Sequence, residues 1–226
     1  MTFDTALRAS EILMALAFIQ QSAEHLTAAP RERIIFALRI ILSALLLAHL
    51  QTAWVLLGLL VLGLWALHLF QGPYNGGSDR MSLLILACLC AIAWVPDPIW
   101  QHTIYAYLGF QVGMSYFISG WVKLKNPEWR SGLALADVFH FSAYPVSEDL
   151  RRWANAHRIL TLLSWGVILF EVLFPLAFLS QTLLMIALIL AAGFHLSNAC
   201  LFGLNRFFWI WLAAYPAILW LQDRLI

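Results

Sequence analysis

A chain of 226 residues that is 62% hydrophobic and only 11% charged, with a mean hydropathy of +0.81, carries more apolar surface than a soluble domain of that length buries. This excludes a water-soluble enzyme and places the chain in a lipid bilayer. With 13 basic against 12 acidic residues, a net charge of +1 and no contiguous charged block, it offers nothing for nucleic acid to bind.

From the N-terminus, the apolar run "ILMALAFI" at 12–19 follows Arg8, but Glu11 interrupts a leader's basic start and "TAAP" puts Pro30 just after the only small-residue site. That pattern argues against a signal peptide. Residues 10–26 are expected as an interfacial or tightly packed first helix. A bilayer core needs about 20 apolar residues. Segments 34–50, 53–70, 81–95, 100–122, 159–179 and 182–203 meet or approach that length, with a seventh at 207–222. The expected fold is all-α, a polytopic transmembrane helix bundle of six to seven spans plus an N-terminal interfacial or short helix. One domain accounts for 1–226, with the core bundle at 31–222 and an amphipathic interfacial loop at 123–158, whose Trp, Phe and Tyr residues suit the headgroup boundary.

Charge sets the expected orientation. Arg8, Arg31, Arg33, Arg80, Lys123, Lys125, the arginines of 130–158 and Arg206 fall on one face and Arg224 on the other, so the basic loops are expected in the cytoplasm. The compact all-membrane design points to a bacterial inner membrane. Cys88 and Cys90 project about 200° apart on a helix. With Cys200, all three cysteines sit in apolar runs and are expected as small buried hydrophobes. The turn "YNGGSDR" at 74–80 places Asp79 at the opening of the next helix.

Ionisable groups inside spans are functional suspects because lipid makes them expensive. Here they are Arg39, His49, His68, Lys123, Glu171 and His195, with Tyr116 and Asn198 as uncharged companions. Arg39 is expected to reach for headgroups, and His49 and His68, near span ends, to be structural. Tyr116, Gly120 and Lys123 lie at i, i+4 and i+7, on a stripe running back through Gly113 and Gly109. Two readings of that stripe stand: another helix packs closely against the glycines, or the groove admits a flat cofactor or an acyl chain. Lys123 either snorkels to the interface or does chemistry. His195 and Asn198 stack on one helix face and either hydrogen-bond across helices or orient a bound group. Glu171, four residues before Pro175, has to be protonated or paired at its depth.

Three stretches carry a family resemblance: the Gly-Gly-Ser-Asp loop, "SYFISGWVKLKNPEWRSG" at 115–132, and "GFHLSNACLFGLNRF" at 193–207. Together they resemble the horizontally transferred transmembrane domain, the membrane part shared with vitamin K-dependent γ-glutamyl carboxylases, over about residues 31–220. The resemblance implies that Lys123 is the base that deprotonates a reduced quinone, vitamin K hydroquinone or a related one, with O2 and CO2 as co-substrates and no metal. It implies that His195 helps bind or polarise the reacting group, and that Tyr116, Gly120, Asn198 and Glu171 help hold the cofactor. A lysine acts as a base only when uncharged, and an apolar surround disfavours an ammonium. On this reading the chain is a carboxylase-like lyase or a quinone-linked redox enzyme. The alternative is a non-catalytic membrane partner or quinone-binding subunit of the DoxX and MauE type, whose aromatic loop docks a membrane or peptide partner.

Overall fold

The structure, a computed structural model, describes all residues except 28–29, 70–76 and 143–146; the side chains of 30, 31 and 69 also lie outside the description. The first three residues of the "YNGGSDR" turn thus fall outside it. Among the described residues the chain is helical and contains no strand. In order come α1 (Phe3–Glu24), α2 (Pro30–Leu47), α3 (Thr52–Leu69), α4 (Gly77–Trp94), α5 (Pro98–Lys125), α6 (Pro127–Ser131), α7 (Leu133–Phe141), a 3-10 turn (Glu148–Asn155), α8 (His157–Leu173), a second 3-10 segment (Phe174–Leu179), α9 (Gln181–Phe202) and α10 (Asn205–Leu225).

Each of the seven expected apolar segments is helical over most of its described residues, but only three stretches, Gly77–Trp94, His157–Leu179 and Gln181–Phe202, are long and apolar enough by themselves to cross a membrane. That is fewer than the six or seven expected, and composition explains the difference. α2 carries Glu32, Arg33 and Arg39, and the apolar part of α3, Thr52–His68, is short. α5 and α10 intersperse Gln, Trp and Tyr, which belong to the interface more than to hydrocarbon.

The described chain forms two compact units, Met1–Phe110 with Arg206–Leu225, and Gln111–Asn205. In the first, α1 begins well before the expected residue 10, where the Thr2 hydroxyl accepts the Thr5 N–H at 3.3 Å. It buries Ala6, Ser10, Met14 and Phe18, so it is tightly packed. It lies antiparallel to α2, because Arg8 donates to the Leu46 and Leu47 carbonyls at 2.9 and 2.6 Å while Gln21 meets Arg39 at 3.0 Å. Arg8 thereby adds a donor to carbonyls at the end of α2. The N-terminal ammonium pairs with Asp223 at 2.6 Å, bringing the start of α1 to the end of α10. Arg8 therefore belongs with Arg224, at the opposite end of α2 from Arg33, and leaves the basic face to which charge alone had assigned it. Arg39 also departs from expectation. It is 6% exposed and lies 3.6 Å over the Phe18 ring, turned into the unit instead of out to headgroups. His49 sits in a turn after α2, exposed and 3.7 Å from Glu11.

Opposite the Arg8 end, Arg206 donates to His25 Nε2 at 2.6 Å, and the His25 ring stacks on Phe36 at 4.1 Å. Accepting from a guanidinium requires a neutral imidazole. Burial, and then the Arg206 charge, hold His25 below its ordinary value.

In the second unit the expected interfacial loop is instead mostly helical. Asn126 caps α6 by accepting the Glu128 N–H at 2.8 Å, and Pro127 opens its first turn. Gly132, at φ +81°, ends α6 and starts α7. A side chain there would lie 2.7 Å from the Thr161 nitrogen. α8 holds α6 by its carbonyls: Thr161 donates to Ser131 at 2.9 Å, Ser164 to Trp129 at 2.5 Å and Trp165 to Arg130 at 3.1 Å. Arg151 ties the following 3-10 turn back to the end of α7, donating to the His140 carbonyl. Ala136, Phe139, Ala154, Leu160 and Phe202 close a small core beneath these segments. Cys88 and Cys90 are buried as expected, whereas Cys200 is exposed on α9, because the face of a spanning helix that meets lipid is also apolar.

Two tests follow from these contacts. Since the folded first unit keeps His25 neutral, the unfolded chain takes up the proton first as pH falls through 6.5, so stability is present above that pH and declines below it. The thermal midpoint should drop between about pH 7.5 and about pH 5.5, and His25→Gln should flatten that slope; an unchanged slope in the variant contradicts the assignment. Gly132→Ala should lower stability by about 1–3 kcal/mol for the left-handed backbone alone, and more once Thr161 is displaced, as read by thermal unfolding.

Candidate functional site

α5 carries the residues from which the site is built, and the spacing of its polar side chains decides what they meet. Tyr116, Ser119, Gly120 and Lys123 recur at three- and four-residue intervals, so they share the face that turns toward α8. Gly120 permits that approach. A methyl group there would stand 2.6 Å from the Val172 nitrogen and 2.7 Å from Glu171 Cβ, so only a glycine lets the two backbones come this close.

Lys123 Nζ lies 2.6 Å from Glu171 Oε2 and 2.6 Å from Ser119 Oγ. Ser119 Oγ stands 3.4 Å from Glu171 Oε1 and closes the triangle. The Lys123 and Glu171 side chains are 15% and 4% exposed. Trp129 of α6 sets its ring 5.2 Å from the ammonium nitrogen, in range of a cation–π contact. The chain turns at Asn126 and Gly132 so that this tryptophan is carried back over the lysine. Pro175 contributes from the other side: it ends α8 at Leu173, and the Glu171 carbonyl accepts the Phe174 N–H in the tighter last turn.

Two turns of α5 earlier, about 10 Å along the axis, the Tyr116 hydroxyl meets His195 Nε2 at 2.9 Å. Both are buried, at 2% and 4% exposure. The Tyr116 ring stacks on Phe174 with centroids 4.2 Å apart and presents its edge to Phe170 at 6.0 Å. Phe170, Glu171 and Phe174 thus line α8 against the same α5 face, and the lysine and histidine pairs occupy one seam at two levels.

Several expected roles come out differently. Lys123 is not a lone amine among apolar rings; it is held by a carboxylate and a hydroxyl, and that carboxylate is the Glu171 whose depth demanded a partner. Gly120 lines no groove for a cofactor, because α8 fills the space, and a methyl group at Gly113 would likewise stand 3.0 Å from the Phe178 ring. The helix-packing reading of the glycine stripe is the one these contacts support. Asn198 is half-buried one turn from His195, and its carbonyl accepts the Gly203 and Leu204 N–H groups that close α9; the residue that meets His195 is Tyr116. Ser119 was not singled out in the sequence, although its position four residues before Lys123 marks it as a neighbour on the helix face.

The HTTM domain family matches the chain over residues 93–222. No curated protein and no solved structure shows significant similarity to it. The match takes in Tyr116, Ser119, Lys123, Trp129, Glu171 and His195. It begins near the end of α4, later than the residue 31 from which the resemblance was drawn, so the Gly-Gly-Ser-Asp loop lies outside it. Over more than half its length, and across every residue of the seam, this membrane protein belongs to the HTTM domain family.

Proposed function

We propose that the second unit is a proton-accepting site for a reduced quinone or a related redox lipid, with the Lys123–Glu171 pair as the base. The observation that carries this reading is the 2.6 Å separation of Lys123 Nζ and Glu171 Oε2 in an apolar bundle. A lone lysine must be unprotonated to act as a base. A paired one need not be: amine and carboxylate hold one proton between them and take up a second, at the Glu171 oxygen when Lys123 carries the first. Ser119, within reach of both, holds the two in register. Pairing also keeps the resting site net neutral, the condition for keeping these groups at depth in a membrane.

Space limits where such a ligand fits. The hollow at Gly120 is filled, so a ring does not enter between α5 and α8. Lys123, partly exposed beside Trp129, is reachable from outside the seam, and Lys123, Glu171 and Trp129 are the residues that would hold the headgroup. When bound, a reduced quinone would supply the reducing equivalents for reaction with oxygen, the chemistry that the likeness to the carboxylases implies; carbon dioxide capture would follow only if the substrate offers a carbanion. Tyr116 and His195, joined to each other, brace the same seam. We further propose an inner-membrane location with the Lys123 end toward the cytoplasm, on the strength of the neighbouring Lys125, Arg130 and Arg158.

A non-catalytic reading, a membrane partner or quinone-binding subunit, draws on the same glycines: Gly113 and Gly120 serve helix packing, and the Tyr116–His195 bond ties α5 to α9. A bound quinone separates the base reading from that of a mere membrane partner, and a double-mutant cycle tests the pair itself. Protein in nanodiscs should copurify a quinone detectable by mass spectrometry and lose it in Glu171→Gln and Lys123→Ala; retention of the quinone in both variants sinks the base assignment. In a double-mutant cycle, Lys123→Ala should lower stability by on the order of 3 kcal/mol by leaving a buried carboxylate unpaired, and adding Glu171→Ala should restore part of it.

A further inference from the structure

The first unit contains a buried cation, Arg39, that forms no ion pair among the described residues. Arg39 is 6% exposed. Its Nη2 donates to Gln21 Oε1 at 3.0 Å and its guanidinium lies over Phe18, contacts that orient it without balancing its charge. Its Nε is buried with no hydrogen-bond partner. Among the described residues no carboxylate comes within ion-pairing distance of Arg39, every ion pair being made by other groups. The stretches outside the description, 28–29, 70–76 and 143–146, contain no Asp or Glu. An unpaired buried charge is among the costliest features a fold can carry, and guanidinium is the group least able to escape by losing its proton.

A second guanidinium belongs to the same corner. Gln21 and His25 follow one another at the end of α1, and Phe36 and Arg39 lie one turn apart on α2. Gln21 meets Arg39, His25 stacks on Phe36, and Arg206 donates to His25. This frame brings Arg206 within electrostatic reach of Arg39, with Asp79 as the acid that acts on both. Asp79 forms no ion pair with either. A methyl group at Gly77 would stand 3.4 Å from the Phe207 ring, so the N-terminus of α4, with buried Ser78, is adjacent to Arg206. Two guanidiniums, one lacking a partner at Nε, and the positive end of an 18-residue helix make a setting suited to a tetrahedral oxyanion and hostile to a cation.

We propose that Arg39 and Arg206 form an anion-binding site for a phosphate group, independent of the Lys123–Glu171 site. In a membrane protein the phosphate comes from an anionic phospholipid headgroup or from free phosphate, and the same bidentate donors serve both. The test uses the full-length chain, delipidated in detergent, with thermal unfolding followed during separate titrations of inorganic phosphate and of short-chain phosphatidic acid, at constant ionic strength with chloride as the balancing anion. A saturable rise in midpoint with either is expected, with the half-saturating concentration raised at least about tenfold in Arg39→Gln and in Arg206→Gln, and unchanged in Arg152→Gln, whose side chain is exposed elsewhere. Arg206 is only half-buried, so its variant reports even if Arg39→Gln does not fold. A response to the lipid alone assigns the headgroup, and a response to inorganic phosphate assigns the free ion. No saturable response to either, or a response that Arg206→Gln keeps in full, overturns the site.

Discussion

Lys123 and Glu171 meet at 2.6 Å where a bilayer protein can least afford a free charge, and much of the second unit is arranged so that they do. α5 must come close enough to α8 for a lysine stem to reach across, which Gly120 permits by having no Cβ. α8 must end soon after Glu171, which Pro175 ensures. The chain beyond Lys123 must then turn back over the amine, which Asn126, Pro127 and Gly132 accomplish by capping and reversing a five-residue helix. Each of these residues is local chemistry, and each takes its meaning from the pair.

The short helices after α5 show how such a bundle manages its backbone. Within one chain segment four helix or turn ends follow in quick succession, and each end exposes carbonyls or N–H groups that apolar surroundings leave unsatisfied. Hydroxyls and an indole on α8 take up the carbonyls of Trp129, Arg130 and Ser131, and Arg151 takes up those at the end of α7. The polar residues of α8 that face α6 are therefore fasteners. The one polar residue of α8 that faces α5, Glu171, meets a charge.

The two units settle their ionisable groups differently. In the second, the buried cation has its anion in the same fold. In the first, Arg8 finds Glu11 and two carbonyls, and the N-terminus finds Asp223, but Arg39 finds a neutral amide and a ring. Since an unpaired buried cation is costly in either unit, the contrast is what makes Arg39 the residue proposed to take its partner from outside the chain.

The sequence by itself determined that this is an all-helical membrane protein, where its apolar segments begin and end to within a few residues, and that Lys123, Glu171 and His195 are the groups to explain, because length, hydropathy and the rarity of charge in lipid act along one strand of the chain. Only the tertiary structure decided that Glu171 belongs to Lys123 and Tyr116 to His195, that Gly120 seats a helix instead of a ring, that Arg8 lies at the far end from Arg33, and that most of the described residues of 123–158 lie in short helices. Those outcomes depend on which faces of separate helices meet. Residues 48 and 79 positions apart become neighbours only through packing, to which periodicity along a single helix is blind.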